Sequence, residues 1–347
     1  MKSMRLFSNS KTSNNCKIPK KVPMNKQHCL IFLACTILIT FTECDVRAQN
    51  GSAQPNAMAP DNAGRGGGRG FLGRGPMEPP GQPAPVPSAI AIPRPSQAEL
   101  DKLNADLKEY IAKSPDKELL QRWDSLLKVE EPRANTAIEP VQTTVRTTQR
   151  HNRFVETATN SDFDILFEGD SITDWWQQRG PQGGADVFKK YFGDDKTANF
   201  AVAGDTTQGV LWGLQHGEGQ GHKPKAVMLM IGTNNTGGNS GPEIAEGVGA
   251  VVNELRKDFP KAKILLLAIF PRGNGPNDPN RIKNEEANKI IAKLNDGKHV
   301  FFMNINDKFL DAQGHLIGFR GDNLHPTAVG YEAWASAVAP TLKKWIK

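Results

Sequence analysis

The sequence predicts an α/β protein: a three-layer α/β/α fold around a five-stranded parallel sheet, preceded by a disordered linker and a short helical segment. Three observations carry this. From His151 to Lys347, short apolar runs alternate with amphipathic helical patterns. The runs are apolar throughout rather than alternating, as in strands buried on both faces of a parallel sheet. And much of the excess of the chain's 33 Gly and 24 Pro falls between Ala48 and Ser96, a stretch too poor in apolar residues to bury a core.

Residues 1–48 read as a secretory signal peptide. A polar, basic opening is followed by the apolar run Leu30 to Phe41, and Val46-Arg47-Ala48 supplies the small residues of a cleavage site. Met24 is an alternative start; a buried helix or an uncleaved anchor is the plainer reading of the run. The apolar run is shorter than the roughly 20 residues of a membrane-spanning helix, so no transmembrane span is expected in the mature chain. All four cysteines precede the cut, which leaves the mature chain without a disulfide, a thiol nucleophile or a thiolate metal site. Eight of the 43 basic and two of the 37 acidic residues lie in this leader, leaving 35 of each sign beyond it. The net charge of +6 therefore belongs to the leader, and a neutral mature protein makes no electrostatic case for nucleic acid.

Residues 49–95 form the expected linker, flexible where Gly-rich and extended where Pro-rich. Its RGG-like tract admits an RNA-binding reading, but a spacer suits an exported protein better. Residues 96–150 are expected to hold a helical hairpin and connector. Ser96-Gln-Ala-Glu99 is a capping box ahead of Leu100, Leu103, Leu107 and Ile111. Ser114-Pro115 opens a second helix with the stripe Leu119, Leu120, Trp123, Leu126 and Leu127. So short a segment cannot sustain its own core, so it is expected to pack on the next domain or on a partner, with coiled-coil oligomerisation the sharper alternative.

Within residues 151–347 the predicted strands are Ile165–Glu168, Ala198–Val202, Ala226–Ile231, Ile264–Ile269 and Val300–Ile305. Helices are predicted to open at Gly241-Pro242-Glu243, near Pro279 and at Pro326. In such a flavodoxin-like sheet the ligand sits beyond the carboxyl ends of the strands. Those ends carry Glu168-Gly-Asp-Ser171, Ala203-Gly204-Asp205, Gly232-Thr-Asn234-Asn235 and, before the last helix, Asp322-Asn-Leu-His325. A hydroxyl, an imidazole with an acid three residues away and several amide donors converge on one rim. Ester hydrolysis needs this set: a nucleophile, a base, a group to orient the base and donors for an oxyanion.

On these four blocks the segment from about Asp162 to Trp345 resembles the SGNH/GDSL hydrolases. It is most like the branch containing the catalytic subunits of brain-type platelet-activating-factor acetylhydrolase. Leu211-Trp212 and Pro271-Arg272-Gly273 strengthen that closer likeness. The resemblance implies Ser171 as nucleophile, His325 as base and Asp322 as its orienter. The oxyanion donors would be the Ser171 and Gly204 N–H groups and the Asn234 amide, with no metal and no cofactor. The broad family has Asp after the third-block Asn; here that position is Asn235, which removes residue 235 from any catalytic role.

Trp175 and Arg272 are candidates for the substrate pocket, with core packing and a structural ion pair as the blander readings. One of Trp175 and Trp176 is expected in the core. Asp170 and Asp205 are expected as turn and cap residues, and His216, His222, His299 and His315 on the surface. The reading that results is an exported, periplasmic or secreted, serine esterase removing a short acyl group, by expectation acetyl. A carbohydrate O-acetyl esterase is favoured by the leader and tether, with a small molecule or a polysaccharide as ester substrate. A phospholipid acetylhydrolase, carried by the resemblance, is the alternative. A non-catalytic binding protein on the same fold and a flavodoxin-like nucleotide binder are the competitors from other classes; the first leaves the complete Ser171, Asp322 and His325 set idle, the second leaves His325 unexplained. A homodimer is compatible with all of these.

Overall fold

The computed structural model describes residues 79–347. The expected signal peptide and most of the expected linker lie outside the described residues. The chain separates into two compact units: Gln97–Glu130, and residues 79–96 together with Glu131–Lys347.

The first unit contains helix α1, Gln97–Lys113, and a short helix α2, Lys117–Gln121. The Asn104 side chain closes the unit, exchanging two hydrogen bonds with the backbone of Val129 at 2.8 and 2.9 Å. The second helix is much shorter than its apolar stripe predicts. Its cap residue Asp116 makes no side-chain cap bond, and beyond Gln121 the chain runs on in turns. Leu119, Trp123 and Leu126 stay exposed, so helical spacing here is not accompanied by the burial that normally makes a stripe pay its ordering cost.

The second unit is the predicted α/β/α domain. Its helices are α3 Thr148–Asn160, α4 Ser171–Asp174, α5 Ala185–Phe192, α6 Thr207–Gly213, α7 Gly241–Asp258, α8 Pro279–Ile291 and α9 Ala328–Ile346. Its strands are β1 Ile165–Gly169, β2 Thr197–Asn199, β3 Ala226–Met230, β4 Lys263–Leu267 and β5 Val300–Met303. All pair in parallel, in the order β2-β1-β3-β4-β5. The strand order reverses at β1, so the crevice beyond the ends of β1 and β3 is the topological switch point. Register brings those ends level, with Gly169 opposite Met230.

Successive strand residues point to opposite faces. Leu166, Val227, Leu229, Ile264 and Leu266 join one core with residues of α3, α6, α7 and α8. Ile165, Phe167, Met228, Met230, Leu265 and Leu267 join the other with Val187, Phe192, Trp334 and Val338 of α5 and α9. Each side chain of this size, fully buried, contributes about 1.5–3 kcal/mol. Strand β2 is shorter than its apolar run. Phe200 and Val202 still donate to the Phe167 and Gly169 carbonyls, at 2.9 and 3.2 Å, while the chain departs toward the switch point.

Two boundaries differ from those read in the sequence. The α/β unit takes in residues 79–96 and 131–150 as well as 151–347. And residues 79–95, expected as disordered linker, are extended but docked. Gly81 and Ala84 donate to the Pro140 and Ile138 carbonyls, both at 2.8 Å. Ile90 is buried on α7, where a Cβ at Gly249 would lie 2.4 Å from its Cδ1, so a larger residue there would force the Ile90 side chain to shift. Arg94 forms a two-pronged bond to the buried Glu246, at 2.7 and 2.8 Å, and the Ile92 N–H adds a third at 2.7 Å. Proline keeps this segment extended, and a few apolar and charged anchors seat it.

Candidate active site

Strand β1 ends against β3 so closely that a Cβ on Gly169 would lie 2.3 Å from the Met230 carbonyl oxygen. The chain therefore turns sharply, and Asp170 caps α4 by accepting from the Ile172 N–H at 3.0 Å. Ser171 is the first residue of that helix, so its N–H has no helical partner. The Tyr331 hydroxyl, from α9, donates to the Ile172 carbonyl at 2.8 Å and fixes the turn from below. Asp170 serves as the turn residue expected. Burial, opposed by the Ile172 N–H and reinforced by the charge of Asp205, pushes its carboxyl up to about 7.

The segment before α9 folds into a tight loop. Arg320 N donates to the His325 carbonyl at 2.8 Å, and Asn323 adopts φ 53° at the tip. Asp322 Oδ1 accepts from the N–H groups of Leu324 and His325, each at 3.0 Å. Its Oδ2 lies 2.7 Å from His325 Nδ1, and His325 Nε2 lies 2.8 Å from Ser171 Oγ. Burial resists the Asp322 charge, but the backbone and ring N–H groups of His325 outweigh it and hold the carboxyl below its usual range. An ionised Asp322 accepts only, which puts the ring proton on Nδ1 and turns the Nε2 lone pair toward Ser171. Burial holds the His325 imidazole below its usual pKa despite Asp322, and the nearby charges of Arg320 and Arg272 act in the same direction.

The expected amide donors lie on the loops that follow β2 and β3. Gly204 takes φ 84°, a conformation that glycine adopts without strain. Its N–H donates to nothing among the described residues. Asn234 Nδ2 donates one hydrogen to the Asp205 carbonyl at 2.7 Å, which leaves the second for a ligand. The Gly204 loop is held from behind. Asp174 accepts from the Ala203 N–H at 3.1 Å and pairs with Arg150.

Behind Asp205 lies a buried ionic cluster that sequence reasoning missed. Arg146 has no exposed surface and meets three carboxylates: Asp205 through Nε at 2.8 Å, Glu168 at 3.3 Å, and Glu218. His151 Nδ1 lies 2.7 Å from the other oxygen of Glu218. Burial works against the Arg146 charge, and the three carboxylates outweigh it, so the guanidinium is held above its ordinary range. Burial pushes Glu168 up to about 8 against the pull of Arg146, with Glu218 and Asp205 adding to the push. No local pattern marks a lone Arg in a connector as buried, which is why it escaped. Asp205 is structural, as expected, binding Thr206 N–H and Thr143 Oγ through Oδ1 at 2.9 and 2.8 Å.

Trp176 is the buried tryptophan of the pair; Trp175 is half-buried, its ring centroid 4.0 Å from that of His325. Arg272 makes no ion pair among the described residues: its Nη1 donates to the Thr233 carbonyl at 3.0 Å. Asn235 is buried and accepts from the Thr207 N–H at 3.1 Å, capping α6 rather than facing Ser171. His216 and His315 are exposed, His222 and His299 half-buried. A cavity of about 510 Å³ lined by Lys223, Lys261, Lys263 and Trp345 sits at the opposite, amino ends of the strands, away from the reacting groups. Among the described residues no group of three or more His, Cys, Asp or Glu side chains is placed to hold a metal ion.

Comparison with known proteins matches residues 167–333 to the model of the GDSL-like Lipase/Acylhydrolase family. The chain is 35% identical over 197 residues to platelet-activating factor acetylhydrolase IB subunit alpha2 of Rattus norvegicus, covering 56% of this chain and 82% of the relative. It is 35% identical over 203 residues to the Homo sapiens subunit alpha2, with the same 56% and 82% covered. Among solved structures, a GDSL-like lipase from Bacteroides thetaiotaomicron aligns with 16% identity and a TM-score of 0.45, over 56% of this chain and 97% of that one.

Proposed function

From the premise that the chain belongs to the GDSL-like lipase/acylhydrolase family, and so hydrolyses esters, we propose that it is an exported serine acetylesterase working through Ser171, His325 and Asp322. The observation that carries this is the unbroken hydrogen-bonded line from Ser171 Oγ through the His325 ring to Asp322.

In this mechanism Ser171 Oγ attacks the ester carbonyl carbon and its proton passes to His325 Nε2. Asp322 keeps the ring in the required tautomer and stabilises the imidazolium. The carbonyl oxygen becomes an oxyanion, met by the N–H groups of Ser171 and Gly204 and the free Asn234 amide hydrogen. Collapse of the tetrahedral adduct expels the alcohol oxygen, which takes the proton from Nε2. Water then attacks the acyl-enzyme, again giving a proton to His325, and the acid leaves as Ser171 regains its hydrogen. The lowered pKa of His325 keeps it neutral, and so basic, at neutral pH.

Acetyl is favoured as the acyl group because the relatives named above are acetylhydrolases. A carbohydrate as the alcohol half is favoured by the leader-like start and the Gly/Pro-rich tether. A phospholipid alcohol is the second reading, supported by the relatives' names. The test is hydrolysis of p-nitrophenyl esters from acetyl to decanoyl beside Ser171→Ala. Release of acetate from acetylated xylan and from an acetyl-phospholipid then separates the two alcohols. A folded protein no faster than Ser171→Ala on every chain length would refute the serine mechanism.

A further inference from the structure

We propose that Arg320, together with Arg272, forms a cationic subsite beside His325 that receives an anionic group, carboxylate or phosphate, on the alcohol half of the ester. This deepens the esterase reading above and rests on it.

The geometry is a layered one. Arg320 precedes the Asp322–His325 loop and lays its guanidinium 4.2 Å above the Trp175 ring centroid. Trp175 in turn lies 4.0 Å from the His325 ring. Arg320 Nη2 donates to the neutral Gln178 Oε1 at 2.7 Å, and its buried Nε finds no acceptor. Arg272 comes from the loop after β4, which is tied to the His325 loop by Gly273 N donating to the Asn323 carbonyl at 2.8 Å. Its Nη1 also meets only neutral oxygens, those of Thr233 and Thr236.

The contrast with the rest of the unit is informative. Arg94, Arg133, Arg146, Arg150 and Arg281 each meet a carboxylate, and the half-buried Arg256 is satisfied by three backbone carbonyls remote from the reacting groups. Arg320 and Arg272, the two half-buried arginines next to the reacting groups, meet none among the described residues. Removing a guanidinium from water without a counter-charge is costly. A planar fork held flat on an aromatic ring is already ordered for two-pronged recognition of a carboxylate or phosphate. Both charges also depress the His325 pKa, so an anion bound there would relax that depression.

The test compares three acetyl esters on the full chain: methyl 4-acetoxybenzoate, 4-acetoxybenzoate and 4-acetoxyphenyl phosphate. The readout is the ratio of kcat/KM for each anion over the neutral ester, which cancels any general loss of activity. The expected ratio exceeds that of Arg320→Gln by about tenfold, as for a charge-assisted hydrogen bond. Arg320→Lys should retain part of it, and salt should erode it in the unmodified protein. The larger of the two anion ratios identifies the source, carboxylate for an acidic sugar and phosphate for a phospholipid. Ser171-dependent turnover with no anion preference at low salt would overturn the subsite while leaving the esterase intact. Absence of Ser171-dependent turnover on all three esters would instead refute the esterase reading. Should Arg320→Gln fail to fold, Arg272→Gln and the salt series decide the same question.

Discussion

Arg146 binds Asp205 Oδ2 through its Nε at 2.8 Å, and the carbonyl of that same Asp205 receives the Asn234 amide at 2.7 Å. A buried cation contributed by the segment before α3 thus binds the residue next to Gly204. Removing it leaves Asp205, Glu218 and Glu168 facing each other without compensation. Arg146→Met is expected to cost about 3–5 kcal/mol of stability, the usual penalty for stranding a buried charge. Chemical denaturation with circular dichroism measures this directly, and a loss below about 1 kcal/mol would show that the cluster relaxes around the gap.

Activity should follow the neutral form of His325. Its pKa lies below the ordinary value near 6.5, so kcat/KM should rise with pH on an acid limb below that value and be level at neutrality. The Asp322 charge raises the His325 pKa, so Asp322→Asn should move the limb to lower pH still. The same change should lower kcat by about 10³–10⁴-fold through loss of the correct tautomer. A pH–rate profile of both proteins on p-nitrophenyl acetate reads both effects; a limb that moves upward contradicts the assignment.

Gly204→Ala meets two obstacles. Its φ of 84° is strained for alanine, and its Cβ would lie 3.3 Å from Val145 Cγ1. The N–H would be displaced, with a loss of about 10²–10³-fold in kcat, the order for one oxyanion donor. Adding Val145→Ala removes the contact and not the backbone strain. The double variant should therefore recover only part of the rate in the same assay.

A fragment beginning at His151 lacks Arg146 and the docked strap, whereas residues 79–347 hold both. The shorter fragment should be poorly folded and inactive, and the longer one should melt cooperatively. Thermal denaturation of the two proteins decides; a stable, active 151–347 fragment would mean that the cluster and strap are dispensable.

The sheet was legible because strands buried on both faces leave continuous apolar runs, such as Ala226 to Ile231. The four strand-end blocks were legible because each needs particular residue types at fixed spacing next to such a run. Ser171, His325 and Asp322 stand in one hydrogen-bonded line, and the Asn234 amide reaches the Asp205 carbonyl beside Gly204. Arg146, Glu218 and His151 were not legible, because a buried ion cluster joins residues far apart in sequence and has no period. Arg320 was hidden for the same reason: its stacking on Trp175 is fixed by the turn between β5 and α9, not by a motif. The stripe from Leu119 to Leu127 misled in the other direction, since periodic apolar residues announce a helix only when a surface buries them.

The clamps at the foot of α7 bear on how this chain can change length. Arg94 grips Glu246, and Arg133 grips Glu243 one turn earlier on the same helix. The chain leaves the hydrolase unit and re-enters it at neighbouring points, so everything between is an insert with its ends already brought together. Lengthening or trimming such an insert alters folding only through the entropy of closing a loop, about 0.6 kcal/mol for each doubling. An enzyme built this way can exchange what it carries between residues 95 and 132 without rebuilding what it catalyses.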